Sequence, residues 1–290
     1  MVEKILKHIP PRLKANEICR RLYWKFMNFM YYCITLPYIY LHYKYESSRL
    51  KKFKDIHKGQ RCFIIGNGPS ILQQDLTKLK NEITFVVSWF LLHEQYNEIN
   101  PTYYCVLDSG DFLASANSEW YQLPLSKARN TIKFIPLRLK PIVKWRNFLM
   151  NQPVFYINHL LRIKIWETGV ISLDVTKGVY TGGGTIIIDF CLPLAFYMGF
   201  SEIYLLGCDC DYKLDEAPGF SKTHFYGAHE AVYLQRLSPN DPLVTNSFTN
   251  IMKSYSVAKE AFEGHGRKIY NAGIGGKLEV FERVNYDELF

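Results

Sequence analysis

Short hydrophobic runs recur along the chain from about residue 60, and longer stretches with helix-like spacing separate them. The runs are rich in Ile, Val, Phe and Tyr and are apolar at nearly every position, as in strands that are covered on both faces. Alternation of such strands with helices is typical of an α/β domain with a mostly parallel sheet. The predicted strands are Arg61–Ile65, Ile83–Ser88, Tyr103–Leu107, Ile132–Ile135, Val154–Ile157, Ile203–Leu206 and Lys268–Asn271.

The segment before this domain has a different pattern. Residues 26–43 read FMNFMYYCITLPYIYLHY, an apolar and aromatic stretch with Lys and Arg on both sides. This length is at the lower limit for spanning a bilayer, whereas aromatic rings and flanking basic residues suit the headgroup region. We therefore predict a basic, helical, membrane-associating segment over residues 1–57 and a folded domain over residues 58–290. A helical hairpin packed on the domain or on a second subunit is the alternative.

The charge distribution separates the same two parts. Residues 1–60 contain 13 Lys and Arg against 4 Asp and Glu, a net of +9, and the other 230 residues contain 22 against 23, a net of −1. Domains that bind nucleic acid carry a basic patch on the folded body, so this distribution argues against nucleic acid as a partner. The basic segment is instead suited to an anionic membrane surface.

The cysteines indicate the compartment. Seven are present, an odd number, with no C-x-x-C pair and no zinc-like spacing to histidines. This pattern predicts a reducing, cytosolic setting and no metal site.

The first predicted strand leads directly into a candidate ligand-binding loop. Gly66, Asn67, Gly68, Pro69 and Ser70 follow it, and a helix is predicted from Ile71. Glycines allow a tight turn and the close approach of a ligand, and the amides of a first helical turn attract anions. The motif is neither the dinucleotide fingerprint nor a P-loop. A plain turn with Ser70 as its cap is the alternative.

Further polar residues lie at or just after the ends of other predicted strands, and parallel sheets bind ligands beyond the carboxyl ends of their strands. These residues are Ser88, Asp108, Asp209 and Asn271.

A second glycine-rich segment precedes the apolar helix predicted over Ile186–Met198. Its residues are Thr181, Gly182, Gly183, Gly184 and Thr185, and we call it the Gly-rich loop. Such a loop could hold phosphate or sugar hydroxyls, or it could be a turn with Thr185 as the helix N-cap. Asp189, inside the apolar helix, is either a buried hydrogen-bonding group or a solvent-facing one.

The long polar stretch 207–236 is typical of an active-site loop. It contains His224 and His229, and a histidine can accept a proton from a hydroxyl near neutral pH. It also contains Tyr212, Tyr226 and Arg236, which could stabilise a departing phosphate.

Several of these segments together resemble a known superfamily. The chain resembles the bacterial sialyltransferases of glycosyltransferase family 42 and the related DUF115 proteins, which include flagellin nonulosonate transferases and a 6-hydroxymethylpterin diphosphokinase, MptE. The likeness covers about residues 60–275. It is carried by Ile64–Ser70, by Leu194–Asp209, by Tyr226–His229 and by the late strand that ends at Asn271.

The resemblance implies a Rossmann-like nucleotide domain, a GT-A variant, with a lid. It implies that Asn67 contacts a CMP-sugar donor, and that Ser88 and Asp108 do so where the sialyltransferases usually have Asn. It assigns the Gly-rich loop to cytidine or phosphate, with no cofactor required. Tyr212 and Tyr226 would assist the leaving phosphate, and His229, with His224 as the alternate, would be the base.

The expected activity is therefore inverting transfer of a sialic-acid-like sugar to a cell-surface glycan acceptor. The expected location is the inner face of the bacterial cytoplasmic membrane, and homo-oligomerisation stays open. One alternative is a DUF115-type pyrophosphokinase in which carboxylates hold Mg²⁺. Those carboxylates would be Asp108, Asp111, Asp209 and Asp211. The other alternative is a non-catalytic nucleotide-binding scaffold on the membrane.

Overall fold

The computed structural model describes residues 36–107, 128–146, 149, 151–159, 163–180, 182–211, 224–225 and 247–290. Its centre is an eight-stranded sheet in which every paired strand is parallel, in the order β5-β4-β3-β2-β1-β6-β7-β8. The strands are β1 Arg61–Ile65, β2 Thr84–Val87, β3 Tyr103–Cys105, β4 Ile132–Pro136, β5 Val154–Ile157, β6 Glu202–Leu206, β7 Lys268–Asn271 and β8 Glu282–Arg283.

The described helices are short except for the first and the last. They are α1 Leu36–Leu50, α2 Tyr96–Ile99, α3 Lys140–Arg146, α4 Ile165–Thr168, α5 Leu192–Met198 and α6 Ser247–Glu263. A π-helical turn, Ile187–Cys191, leads into α5. Three 3₁₀ helices, Pro69–Gln73, Leu76–Asn81 and Ser88–Leu92, follow β1 and β2.

The chain divides into two units, Met1–Tyr45 and Glu46–Phe290. In the first, the described residues 36–45 form most of helix α1, and Tyr40 and Leu41 are each 74% exposed. None of the described helices is long and apolar enough to cross a membrane. The predicted boundary after residue 57 stays a prediction.

The core of the second unit forms because the strands are apolar on both faces. Cys62 to Ile65 of β1 are fully buried, as expected for a central parallel strand. On one face, the ring of Phe53 meets those of Phe134 and Phe155 edge-on, at centroid distances of 5.1 and 4.7 Å. Helix α5 and the π-helical turn before it add further buried apolar side chains to this core.

The α/β prediction is confirmed, and each of the seven predicted strands is present. Strands β2 and β3 are shorter than predicted, because the chain turns into a 3₁₀ helix at Ser88 and leaves the ladder after Cys105. The helix predicted from Ile71 is wrong. The structure has a five-residue 3₁₀ helix from Pro69, which ends at Gln73 because the next residue is extended.

The sheet order defines where a ligand would bind. From β1 the chain builds β2 to β5 outward on one side and then returns to place β6 to β8 on the other. The carboxyl ends of β1 and β6 therefore flank a topological switch point, which is the usual ligand crevice of open α/β sheets. Asn67 lies two residues after the end of β1, and Asp209 lies three residues after the end of β6.

Candidate functional site

The loop after β1 is held by the loop after β6. The amide of Gly68 donates to the Gly207 carbonyl at 2.8 Å. The amide of Ser70 donates to Asp209 Oδ2 at 2.9 Å, and the Ser70 hydroxyl donates to Oδ1 of the same carboxylate. An amide predicted to bind a ligand anion is thus already directed at an internal carboxylate.

Gly68 is required by this internal contact. A Cβ at this position would lie 2.5 Å from Asp209 Cγ and 2.7 Å from the Gly207 oxygen. Both distances are well inside van der Waals contact, so any side chain would push the two loops apart. The absence of a side chain at residue 68 is therefore explained by packing alone.

Asn67 has a different environment from its neighbours. Its side chain is 8% exposed, and its Oδ1 has no hydrogen-bond partner within the described part of the chain. An unsatisfied buried acceptor costs about 1–3 kcal/mol. A ligand that donates a hydrogen bond at the switch point would remove this cost.

Part of the polar loop 207–236 docks on Asn67. The amide of Phe225 donates to the Asn67 carbonyl at 2.9 Å. The Phe225 ring meets His93 and Phe90 edge-on, at 5.3 and 6.2 Å between centroids. His93 stacks on Phe90, and burial lowers the pKa of its imidazole. These contacts hold the partly buried His224, the preceding residue, close to the end of β1.

The predicted residues at two other strand ends have internal roles. Asn271 is 3% exposed; its Nδ2 donates to the Leu278 carbonyl at 2.8 Å and its Oδ1 accepts the Gly273 amide at 3.0 Å. Ser88 has a φ of +45°, and its carbonyl accepts the Tyr104 hydroxyl at 2.9 Å. The structure therefore brings Gly66, Asn67, Gly68, Ser70, Asp209 and Asn271 together around β1, β6 and β7, and Ser88 lies one strand further along.

The Gly-rich loop lies at the N-terminal end of the π-helical turn Ile187–Cys191. The hydroxyl of Thr185 accepts the Ile188 amide at 3.3 Å, which is the N-cap contact considered from the sequence. The Gly183 amide donates to Asp189 Oδ1 at 2.6 Å. Asp189 is 5% exposed, so it is a buried hydrogen-bonding group, and burial raises the pKa of its carboxyl to about 7.

Several predicted residues fall outside the described part of the chain, so their roles stay predictions. They are Tyr212, Tyr226, His229, Arg236, Asp108, Asp111 and Thr181.

An Arg–His pair at the ends of β4 and β5 was missed from the sequence. Arg138 donates through Nη1 to His159 Nδ1 at 2.6 Å and through Nη2 to the Leu107 carbonyl at 3.1 Å. Burial and the Arg138 charge lower the pKa of His159 to about 3, so its ring is neutral. Both residues follow strand ends, and this position was the one signal that could have identified them.

An ion pair lies beside Asp209. Lys277 Nζ is 2.7 Å from Asp211 Oδ1, and the Lys277 amide donates to the Asp209 carbonyl at 2.7 Å.

The described residues contain no cluster of three or more His, Cys, Asp or Glu side chains suited to a metal ion.

An all-parallel sheet with flanking helices and polar loops at its switch point defines a Rossmann-like α/β fold. The family model described as "6-hydroxymethylpterin diphosphokinase MptE-like" matches residues 38–215, more than half of the chain. The chain belongs to this MptE-like family. The expected relationship to DUF115 proteins is thereby confirmed.

A solved structure has a similar fold. The glycosyltransferase MAf from Magnetospirillum magneticum AMB-1 matches with a TM-score of 0.50 and 14% sequence identity over 86% of this chain. The match covers 39% of the MAf chain, so the present chain spans about two fifths of that protein. At this identity the likeness shows a shared fold. No curated protein sequence matches the chain.

Proposed function

We propose that the chain is a glycosyltransferase that moves a sialic-acid-like nonulosonic acid from a CMP-sugar to a glycan hydroxyl. The observation that carries this proposal is the environment of Asn67. Its amide oxygen is buried and unsatisfied within the described residues, and its carbonyl anchors the loop that contains His224. A donor-binding group and a proton acceptor would then lie at the same switch point.

The reaction would be a single inverting displacement. A loop histidine, His229 or else His224, takes the proton of the acceptor hydroxyl as its oxygen bonds to the anomeric carbon of the sugar. The bond from that carbon to the phosphate oxygen breaks, and CMP leaves with the electron pair. Tyr212 and Tyr226 donate hydrogen bonds to the departing phosphate.

For an electrostatic reason, the phosphate contacts are placed on the loop tyrosines and the cytidine contacts on the Gly-rich loop, whose Gly183 amide already faces the Asp189 carboxyl group. The Asp209 carboxylate already occupies the amide and the hydroxyl of Ser70. A phosphate placed there would meet a like charge and would have to displace two hydrogen bonds. Asn67 would therefore contact a neutral donor group of the ligand, such as a sugar or ribose hydroxyl or the cytosine amino group.

A ligand screen followed by a transfer assay tests this function. CMP, CDP, UDP, GDP and ATP are compared by thermal shift, and a ligand at 100 times its Kd adds about 2.7 kcal/mol of stability. CMP is expected to stabilise most, and a CMP-nonulosonic acid is expected to yield CMP in the presence of a glycan acceptor and EDTA. Stabilisation by ATP alone, with no release of CMP, would contradict the proposal.

The family match supports a second candidate, a diphosphokinase that acts on a hydroxymethyl group. The hydroxymethyl oxygen would attack the β-phosphorus of ATP, form a diphosphate ester and release AMP. Asp108 and Asp111 would hold Mg²⁺ with Asp209 and Asp211. Asp209 and Asp211 already contact Ser70 and Lys277, and Mg²⁺ would have to displace these partners. Production of AMP from ATP and 6-hydroxymethylpterin, abolished by EDTA, would favour this candidate.

We also propose that the N-terminal segment places the enzyme on the inner face of the cytoplasmic membrane. Tyr40, Leu41 and Tyr45 of α1 are 74%, 74% and 62% exposed. Exposed aromatic and aliphatic side chains next to Lys and Arg favour an anionic membrane surface. A glycan acceptor carried on a lipid would then be reached from that surface.

A further inference from the structure

The Gly-rich loop and the helix that follows it are joined by a buried carboxyl group. Asp189 lies in the π-helical turn Ile187–Cys191, a distortion that is frequent at functional sites. Its own amide donates to the Thr185 carbonyl at 3.0 Å, and its Oδ1 accepts the Gly183 amide at 2.6 Å. The loop is therefore tied to the turn at both of these residues.

The fit around Gly183 leaves no space for a side chain at this position. A Cβ at residue 183 would lie 2.5 Å from Asp189 Oδ1 and 2.5 Å from Ile188 Cγ2. The close approach of the amide to the carboxyl group thus depends on glycine at this position. The short hydrogen bond and the glycine together fix the path of the loop.

A buried carboxyl group is a costly way to hold a loop. Removing its charge from water is unfavourable, and for Asp189 this burial raises the pKa to about 7. A hydrogen bond to an ionised acceptor is, in return, stronger than one to a neutral acceptor. This cost is borne at the loop that the resemblance assigns to the nucleotide.

We propose that Asp189 is a positioning residue for the donor site, whose carboxyl group holds the Gly183 amide and thereby shapes the Gly-rich loop before the nucleotide binds. The inference rests on the proposed function, because it takes this loop to contact the donor. Asp189 does not itself touch the donor. It lowers the cost of binding by ordering the loop in advance.

Two variants and one control test this role. Asp189→Leu removes the acceptor at similar volume, whereas Asp189→Asn keeps an oxygen for the Gly183 amide. The Leu variant is expected to weaken CMP binding by about 10–100-fold, the contribution of a hydrogen bond to a charged group, with kcat changed less than about threefold. The Asn variant is expected to bind CMP within about threefold of the wild type.

The control is Thr131→Val, which removes a buried hydrogen bond to Tyr96 just before the amino end of β4. It is expected to lower stability without changing the Kd for CMP. If Asp189→Leu does not fold, Asp189→Ser, whose side chain is too short to reach Gly183, takes its place with the same expectations.

Amide hydrogen exchange separates this inference from the proposed function. The Gly183 amide is expected to exchange at least tenfold faster in Asp189→Leu than in the wild type, with or without nucleotide. If the wild type binds CMP and the Leu variant binds it equally well, the positioning role is overturned while the transferase proposal stands. If the wild type binds no CMP, the transferase proposal fails. Unchanged Gly183 exchange would then overturn the loop-holding role as well.

Discussion

The carbonyl of Asn67 accepts the amide of Phe225 at 2.9 Å, although the two residues are far apart in the sequence. This bond joins the loop after the central strand to the polar stretch that follows β6. Because Phe225 is also packed against Phe90 and His93, the neighbouring His224 is kept near the switch point. The main predictions concern these residues.

The first prediction concerns the base. His229→Ala is expected to lower kcat by roughly 10²–10⁴-fold, the usual contribution of a positioned proton acceptor, with little change in donor affinity. His224→Ala is the matched comparison, because it removes the other histidine of the same loop. Both variants are measured by release of CMP under saturating donor.

The two variants distinguish three outcomes. An inactive His224→Ala with a nearly normal His229→Ala would move the base to His224 and leave the mechanism in place. Loss in His229→Ala alone is the expected result. Full activity in both would rule out a histidine base from this loop.

The second prediction concerns the donor contact. Asn67→Ala removes a buried amide oxygen that has no partner among the described residues. Relief of its cost of about 1–3 kcal/mol opposes the loss of packing around the side chain, so the free energy of unfolding should change little. Loss of one hydrogen bond to a neutral ligand group should weaken CMP binding by about 3–15-fold. Isothermal titration and chemical denaturation of the same variant measure the two quantities.

Ser70→Ala is the control for Asn67→Ala. The Ser70 hydroxyl bonds to the Asp209 carboxylate, so this variant should be destabilised by about 1.5–3 kcal/mol, the contribution of a hydrogen bond to a charged group. Its CMP affinity should stay close to that of the wild type. Weaker CMP binding by Ser70→Ala, with unchanged binding by Asn67→Ala, would show that Ser70 and not Asn67 faces the ligand.

The third prediction concerns pH. The pKa of Asp189 is raised from 3.8 to about 7 in the folded protein, so the folded state retains a proton that the unfolded state has lost between these values. The contribution of Asp189 to stability therefore decreases as pH rises from about 4 to about 7. A difference of this size corresponds to at most about 4 kcal/mol.

Asp189→Asn provides the comparison, since its side chain does not titrate. Between pH 5 and 8, the free energy of unfolding of the wild type should fall relative to that of Asp189→Asn, because only the wild-type carboxyl group loses a proton in this range. Parallel curves would mean that the Asp189 carboxyl group titrates normally.

The fourth prediction concerns the membrane. Deleting residues 1–45 should abolish sedimentation with anionic vesicles and leave transfer to an unanchored acceptor unchanged, because the charge and exposed aromatics are concentrated there. The deletion stops at residue 45 because Glu46, Leu50 and Phe53 are buried, at 2%, 2% and 3% exposure.

Vesicles without anionic lipid are the control for the deletion. A truncated protein that fails to fold, or that still binds anionic vesicles, would contradict the membrane role of the segment. Binding that survives high salt would indicate apolar insertion as the larger contribution.

The strands were predictable because burial on both faces leaves a continuous apolar run in the sequence. The run of β1 was assigned to its residue bounds, whereas β8 was missed because two exposed residues, Glu282 and Arg283, carry no such signal. The 3₁₀ geometry after β1 was also missed. The 3₁₀ helix ends before Gln74, whose Nε2 donates to the Ala272 carbonyl. This contact joins segments that are distant in the sequence.

The strand ends that carry candidate residues were predictable, but their internal contacts were not. Apolar runs followed by glycines and polar residues marked the ends of β1 and β6, which flank the switch point of the sheet, and ligand binding there stays a prediction. The partner of Ser70 is a carboxylate 139 residues away, and no local pattern encodes that pairing. For the same reason, Asn271 was expected to face a ligand, although its side-chain nitrogen and oxygen both form hydrogen bonds with backbone groups.

The position of β1 between β2 and β6 also bears on how the chain emerges from the ribosome. Between Ile65 and Glu202 lie 136 residues, so one edge of this strand, whose last four residues are apolar, stays unpaired until they are made. At roughly 5–20 residues per second this takes about 7–27 s. During that interval the nascent chain exposes the unpaired backbone groups of β1 together with apolar side chains of the incomplete sheet. We therefore expect the chain to require chaperones during synthesis. Fragments that stop before β6 should aggregate.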